Sequence, residues 1–198
     1  MLRMPPMLAC GFCQIRIMLD DHGFQIFEDN EFPLAYLLTF RSFGTWLHGD
    51  ERGSTERSSD QRFKASAVPP NVPLREKMES EMIQVPIVFS STQRTLIAEA
   101  ITEVCSFRQY QLRAVNVRTN HDHAVVSKAI MPEKIVNDFK AYATRRLRLE
   151  HEICLGLKVW SRGASTRYLW KPRHIEAAID YVLYSQDDVP FETGFKID

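Results

Sequence analysis

The chain has 198 residues, with 25 Lys and Arg, 25 Asp and Glu, and a formal net charge of zero. At roughly 100–200 residues per domain, this length predicts one domain with a sizeable core. No apolar run reaches the ~20 residues of a membrane-spanning helix, so we expect no membrane segment and a cytoplasmic protein. Zero net charge also excludes a nucleic-acid-binding protein of the globally basic class.

The neutral total is a sum of opposed blocks of charge. Residues 140–174 contain nine Lys and Arg against two Glu, whereas residues 20–31 contain five acids and no Lys or Arg. The basic block is typical of a surface that meets a polyanion, and equally of a solvated helix face. Both interpretations stay open on charge alone.

The chain divides by composition into a leader, a main domain and a tail. Residues 1–31 predict an irregular leader, residues 32–186 the domain, and residues 187–198 an acidic tail. Within the domain, residues 44–73 are rich in Ser, Gly, Arg and Asp and predict a long loop inserted after the first strand. Loops of this length are usually functional or disordered.

The hydrophobic periodicity of the domain predicts alternating strands and helices. In chain order these are a strand at 34–43, a helix from Ser91 or Thr92 to about 109, strands at 111–118 and 121–126, a helix from Pro132 to about 151, a strand at 157–161 and a helix at 174–185. Counting from the first strand, the first six elements follow the split βαβ pattern. The sequence therefore predicts an α+β fold, a ferredoxin-like sandwich with an antiparallel sheet.

Two histidines and one tyrosine are the candidates for chemistry. His121 and His123 are one residue apart on a predicted strand, so both side chains leave the same face. Such a pair is half of a divalent-metal site, an anion contact, or two surface histidines. Tyr142 fits the core stripe of its helix, but nearby cations, including Lys140 and Arg145, would also place its hydroxyl where a phenol acts as a nucleophile.

These features occur in a fixed order that resembles a known family. The His-x-His strand, followed by a helix bearing a tyrosine, is similar to the single-tyrosine HUH transposases, within them the insertion-sequence-200-like and REP-associated tyrosine transposases. The resemblance covers residues 32–186 and is carried by the stretches 36–41, 44–50, 116–126, 139–147, 165–170 and 177–183.

The resemblance implies metal-assisted nicking and joining of single-stranded or hairpin DNA by a monomer or homodimer. His121 and His123 would hold Mg²⁺ or Mn²⁺, and Tyr142 would form a 5′-phosphotyrosine link. By their chemistry rather than by motif, other residues are expected to bind the DNA backbone or stack on bases. They are Lys140, Arg145, Arg146, Arg162, Arg167 and Tyr168, with Trp160 and Trp170 as further stacking candidates.

Two positions depart from the family pattern. Asp122 stands between the histidines, where a bulky apolar residue is expected to point into the core, and a buried unpaired carboxylate is costly. Arg146 stands where an amide or acid often completes the metal site, which leaves Asp138, one turn before Tyr142, as the candidate third ligand. Two alternatives therefore stay open: a relative that binds structured single-stranded DNA without cutting it, and a ferredoxin-like RNA-binding or regulatory module.

Overall fold

The computed structural model describes residues 18–19, 25–26, 32–51, 54–56 and 66–184, which belong to two units, Met1–Glu31 and Phe32–Asp198. The strands in these ranges are β1 (Met18–Leu19), β2 (Gln25–Ile26), β3 (Ala35–Arg41), β4 (Ser54–Glu56), β5 (Ser66–Val68), β6 (Gln111–Val117), β7 (His121–Ser127) and β8 (Ser165–Leu169). The helices are α1 (Val72–Ser80), α2 (Ser91–Arg108), α3 (Pro132–Leu149) and α4 (Pro172–Tyr184). Of the first unit, the structure describes the antiparallel pair of β1 and β2.

A four-stranded antiparallel sheet organises the second unit. Its strand order is β6-β7-β3-β8, so the two strands that come first and third in the split βαβ pattern, β3 and β7, lie at the centre. This arrangement confirms the predicted α+β, ferredoxin-like class. β7 is paired on both sides, and its residues 122–126 are buried.

Helices cover both faces of the sheet, and the residue alternation of β7 separates the two layers. On the face that we call the α2/α3 face, Phe40, Val117 and Ala124 pack with the inner stripes of α2 and α3. On the opposite face, which we call the α4 face, Val125 packs with Leu169 and the inner stripe of α4. Successive residues of β7 therefore point into different layers.

Local sequence signals explain where the helices begin. α2 starts in a capping box, in which the Ser90 hydroxyl accepts from Gln93 N and the Gln93 side chain accepts from Ser90 N. The N-cap is therefore Ser90, one residue before the predicted Ser91. α1 follows Asn71, whose side chain accepts from Leu74 N, and it carries a proline in its first turn. No helix of the described ranges is long and apolar enough to span a bilayer.

The structure departs from the predicted elements in two places. The strand predicted at 157–161 is wrong, since that segment makes only an isolated bridge between Trp160 and Ser42, and the fourth strand is β8. The predicted insertion, 44–73, contains the antiparallel pair of β4 and β5 in its described part and runs into α1. The predicted acidic tail lies outside the described residues.

Candidate functional site

Two imidazole rings lie side by side at the start of β7. His121 and His123 are separated by one residue and point to the α4 face, with ring centroids 4.7 Å apart and planes at 84°. His123 is 5% exposed, since β6 and β3 pair on either side of it and its side chain projects to the face that α4 covers. The expectation that both histidines project from one side of a central strand is therefore confirmed.

Each ring is oriented by an oxygen of a neighbouring side chain. His123 Nδ1 lies 2.8 Å from Thr39 Oγ1, and Thr39 is its register partner on β3. His121 Nδ1 lies 2.6 Å from Asn120 Oδ1, so Nδ1 donates in that bond. When Nδ1 is held in this way, Nε2 is the nitrogen that a metal or a phosphate would take.

Tyr181 is the aromatic residue that the fold brings to the histidines. Its ring lies 5.5 Å from that of His123, at 77°, and its side chain is 41% exposed. It stands in the last turn of α4, which crosses the sheet over β6 and β7. Sequence reasoning missed Tyr181 as a site residue. The available signal was its position beside Ala178 and Val182, at the border of the apolar stripe that faces the sheet.

A buried hydrogen bond holds the end of α4 over the histidine strand. Asn116 is 6% exposed, lies opposite His123 in the β6–β7 register, and donates from Nδ2 to the Val182 carbonyl at 2.8 Å. Carbonyls in the last turn of a helix lack intrahelical partners, so this amide satisfies one of them. Because Val182 follows Tyr181 directly, the bond also fixes the position of the tyrosine.

The expectation that the Tyr142 hydroxyl faces the two histidines is wrong. Tyr142 lies on α3, packs against the core of the α2/α3 face, and contacts Phe107 of α2 with ring centroids 6.4 Å apart. The guanidinium carbon of Arg145 lies 4.4 Å from the centre of the Tyr142 ring. The sheet therefore separates Tyr142 from the histidines.

Asp122 occupies the inward position between the histidines, as predicted. It is fully buried on the α2/α3 face, and neither carboxylate oxygen has a hydrogen-bond partner among the described residues. Burial raises the pKa of Asp122 well above its usual range, and the charge of Lys140 opposes that rise. Burial likewise lowers the pKa of Lys140 to about 8, with Asp122 opposing.

Asp138 is held in a different ion-pair cluster and does not join the histidines. It accepts from Lys134 Nζ at 2.6 Å and from the Tyr110 hydroxyl at 2.7 Å, and it lies 3.7 Å from Arg108. These contacts place Asp138 on the α2/α3 face, so the expectation of a third metal ligand at this residue is wrong. Within the described ranges, no group of three or more His, Cys, Asp or Glu could hold a metal ion.

The predicted DNA-binding residues are divided between the two faces. On α3, Lys140 donates to the carbonyls of Ser161 and Gly163, while Arg146 pairs with Glu103 at 2.6 Å. Arg162 lies exposed before β8. On β8, Arg167 is exposed on the α4 face and Tyr168 on the α2/α3 face. The third stacking candidate, Trp160, is 7% exposed and belongs to the core, which excludes it as a stacking surface.

Comparison with known proteins finds a matching family model and similar solved structures. The sequence model of the family described as "Transposase IS200 like" matches residues 86–180, which include both histidines. A solved structure, "Structure of the REP associates tyrosine transposase bound to a REP hairpin", is similar at 10% identity and a TM-score of 0.41. The similarity covers 81% of this chain and 72% of that one. No curated protein matches the chain.

Proposed function

Because residues 86–180 match the sequence model of the IS200-like transposases, we propose that this protein is a DNA transposase that nicks and rejoins single-stranded DNA on its α4 face, with Tyr181 as the nucleophile. The observation that supports the assignment is the contact between Tyr181 and His123, at 5.5 Å between ring centroids, with His121 adjacent. A nucleophile and the groups that orient its phosphate must share one face, and these three residues do.

The proposed reaction is a reversible phosphoryl transfer to tyrosine. The Tyr181 oxygen attacks the phosphorus, the bond from phosphorus to the 3′ oxygen breaks, and the strand keeps its 5′ phosphate on the tyrosine. The phenol loses one proton, and the leaving 3′ oxygen gains one. Attack of a 3′ hydroxyl on the phosphotyrosine then rejoins DNA without an external energy source, since one phosphoester bond replaces another.

The two histidines fit one part of a divalent-metal site. Asn120 Oδ1 accepts from Nδ1 of His121, and Thr39 Oγ1 contacts Nδ1 of His123. Each ring would bind the metal through Nε2 in the tautomer whose Nδ1 donates. Because no group of three or more His, Cys, Asp or Glu forms within the described ranges, the metal donors that the structure describes are the two imidazole nitrogens. A divalent metal held there supplies Lewis-acid polarisation of the phosphate. Nitrogen donors favour Mn²⁺ over Mg²⁺, which prefers oxygen.

A cation beside the histidines suits a phosphate substrate. Arg41 lies directly opposite His121 in the β3–β7 register, and residues so placed share a face of the sheet. Its guanidinium carbon lies 3.6 Å from the centre of the Trp46 ring, a contact that restrains the long side chain. We propose that Arg41 binds the scissile phosphate and stabilises the charge that develops on it.

The experiment that tests the proposal is a search for the covalent adduct. The chain is incubated with single-stranded oligonucleotides, with and without a hairpin, in Mn²⁺ or Mg²⁺, and a band that survives denaturation is sought. We expect Tyr181→Phe to abolish the band, because only the attacking hydroxyl is removed. Tyr142→Phe is the matched control and should retain it. Loss of the adduct in the control alone would transfer the nucleophile to Tyr142.

A second candidate function is binding of structured single-stranded DNA without cleavage. One observation favours it, the unsatisfied buried carboxyl of Asp122 between the two histidines. A strand that carries such a defect is destabilised where its histidines must be held firmly. DNA binding by the wild-type chain without any adduct, in either metal, would select this function over the first.

A further inference from the structure

Two aromatic rings that the site does not use stand at the edge of the sheet, Tyr168 on β8 and Trp170 directly after it. Tyr168 and Trp170 stand two residues apart, so both project to the α2/α3 face, opposite to the histidines. Their ring centroids are 6.4 Å apart and their planes are 13° from parallel, and each residue is 44% exposed. Two large and nearly parallel rings are therefore exposed next to each other at the rim of the sheet.

The pair rests on a rigid base. Tyr168 lies opposite Tyr36 in the β3–β8 register, and the two rings meet edge to face at 5.4 Å. Tyr36 is fully buried, and its hydroxyl donates to the Ile130 carbonyl at 2.8 Å. The ring below Tyr168 is therefore fixed, so ligand binding to this surface loses little side-chain freedom.

The surrounding charge fits a polyanion. Residues 153–175, which include β8, contain five Lys and Arg and no Asp or Glu. Arg162 precedes the strand, Arg173 follows it, and both are exposed. Arg167 is exposed on the strand itself and projects to the α4 face. Aromatic rings interleaved with cations are the combination that binds single-stranded nucleic acid, because bases stack on the rings while phosphates meet the cations.

We propose that Tyr168 and Trp170 form a base-stacking surface for the single strand that flanks the scissile phosphate, with Arg167 contacting its backbone where the strand crosses the sheet edge. The inference rests on the proposed function, since the DNA that is cut on the α4 face would also contact this second surface of the domain. The ligand of this surface would be unpaired bases of any sequence, because every base has a face that can stack on an aromatic ring.

The test measures binding of a fluorescein-labelled twelve-nucleotide oligothymidylate, which forms no hairpin, to the full chain carrying Tyr181→Phe, in which cutting is blocked. We expect Tyr168→Leu and Trp170→Leu each to weaken binding by roughly 5- to 100-fold. Phe107→Leu is the matched control. Phe107 is an aromatic residue that is 68% exposed, and it lies on α2, the helix that packs over β6 at the other edge of the sheet. It should leave affinity unchanged.

Salt dependence separates stacking from charge. The two leucine variants should keep the wild-type slope of affinity against salt, whereas Arg167→Gln should reduce that slope by about 0.7. Leucine variants that bind like the Phe107 control would overturn the inference. So would a change in sedimentation from dimer to monomer at unaltered DNA affinity, because the rings would then contact a second copy of the chain.

The two proposals fail in different ways. If Trp170→Leu in the chain with Tyr181 intact still forms the adduct at saturating DNA, and oligothymidylate affinity is unchanged, the stacking surface is refuted while the nicking function stands. If the leucine variants lose affinity as expected but the intact chain never forms an adduct, the stacking surface is supported and the nicking function is refuted.

Discussion

Replacing Asp122 by valine should stabilise the protein. The carboxyl is fully buried on the α2/α3 face, and its oxygens have no hydrogen-bond partner among the described residues, so folding removes its hydration without replacement. An unsatisfied buried polar group costs about 1–3 kcal/mol. Lys140 recovers part of that cost by its charge, and it keeps its bonds to the Ser161 and Gly163 carbonyls when Asp122 is removed.

The expected gain in the free energy of unfolding for Asp122→Val is about 1–3 kcal/mol, which for a chain of this size raises Tm by roughly 2–10 °C. Urea unfolding at neutral pH, without metal or DNA, measures it as a higher midpoint at constant m. Asp122→Asn is the matched control, since it removes the charge and retains a buried polar group, and it should gain less. A lower midpoint in both variants would refute the reasoning and show that the carboxylate has a stabilising partner.

Three further outcomes follow from the contacts. Asp138→Asn should lower stability by about 1 kcal/mol at pH 7. Although burial raises the pKa of Asp138, hydrogen bonds from Lys134 and Tyr110 outweigh it and lower the pKa, so the loss should vanish as the pH falls below about 3.8. Asn116→Leu should remove the ring-current shift of Tyr181 on the His123 protons by NMR, whereas Val125→Ala, a packing control in the same layer, should retain it. Arg41→Gln should slow adduct formation by roughly 100-fold, and Arg75→Gln on α1 should not, because Arg75 pairs with Glu79.

Alternation along one strand made the histidine pair predictable. Period-two patterning over 121–126 places His121 and His123 together and Asp122 opposite them, and all three lie as predicted. The same alternation argues against Tyr142 as the residue that faces the histidines. In a split βαβ sandwich both crossover helices pack on one face, so an inward Asp122 directs the histidines away from α3. The predicted fold therefore places Tyr142 of α3 on the face opposite to the histidines, in conflict with its predicted role.

The position of the fourth strand could not be obtained from local composition. The apolar residues Val159 and Trp160 are buried against the core at the end of β3. The next residue, Ser161, donates its backbone N–H to the Arg41 carbonyl. Such a segment has the composition of a strand without belonging to one. β8 is polar and mostly exposed, since it lies at the sheet edge, and its pairing with β3 is a long-range contact. The composition of a short sequence segment contains no sign of that long-range pairing.

If Tyr181 is the nucleophile, as we propose, the attachment of α4 determines when the site is completed during synthesis of the chain. Both histidines leave the ribosome well before residue 181, and the sheet face that carries them stays without the proposed nucleophile until the last turn of α4 docks through Asn116. A nascent or prematurely terminated chain that stops before Tyr181 would thus have the phosphate-binding half of the site and no attacking group. The proposed strand breakage would in this way be limited to molecules whose translation has passed the whole sheet.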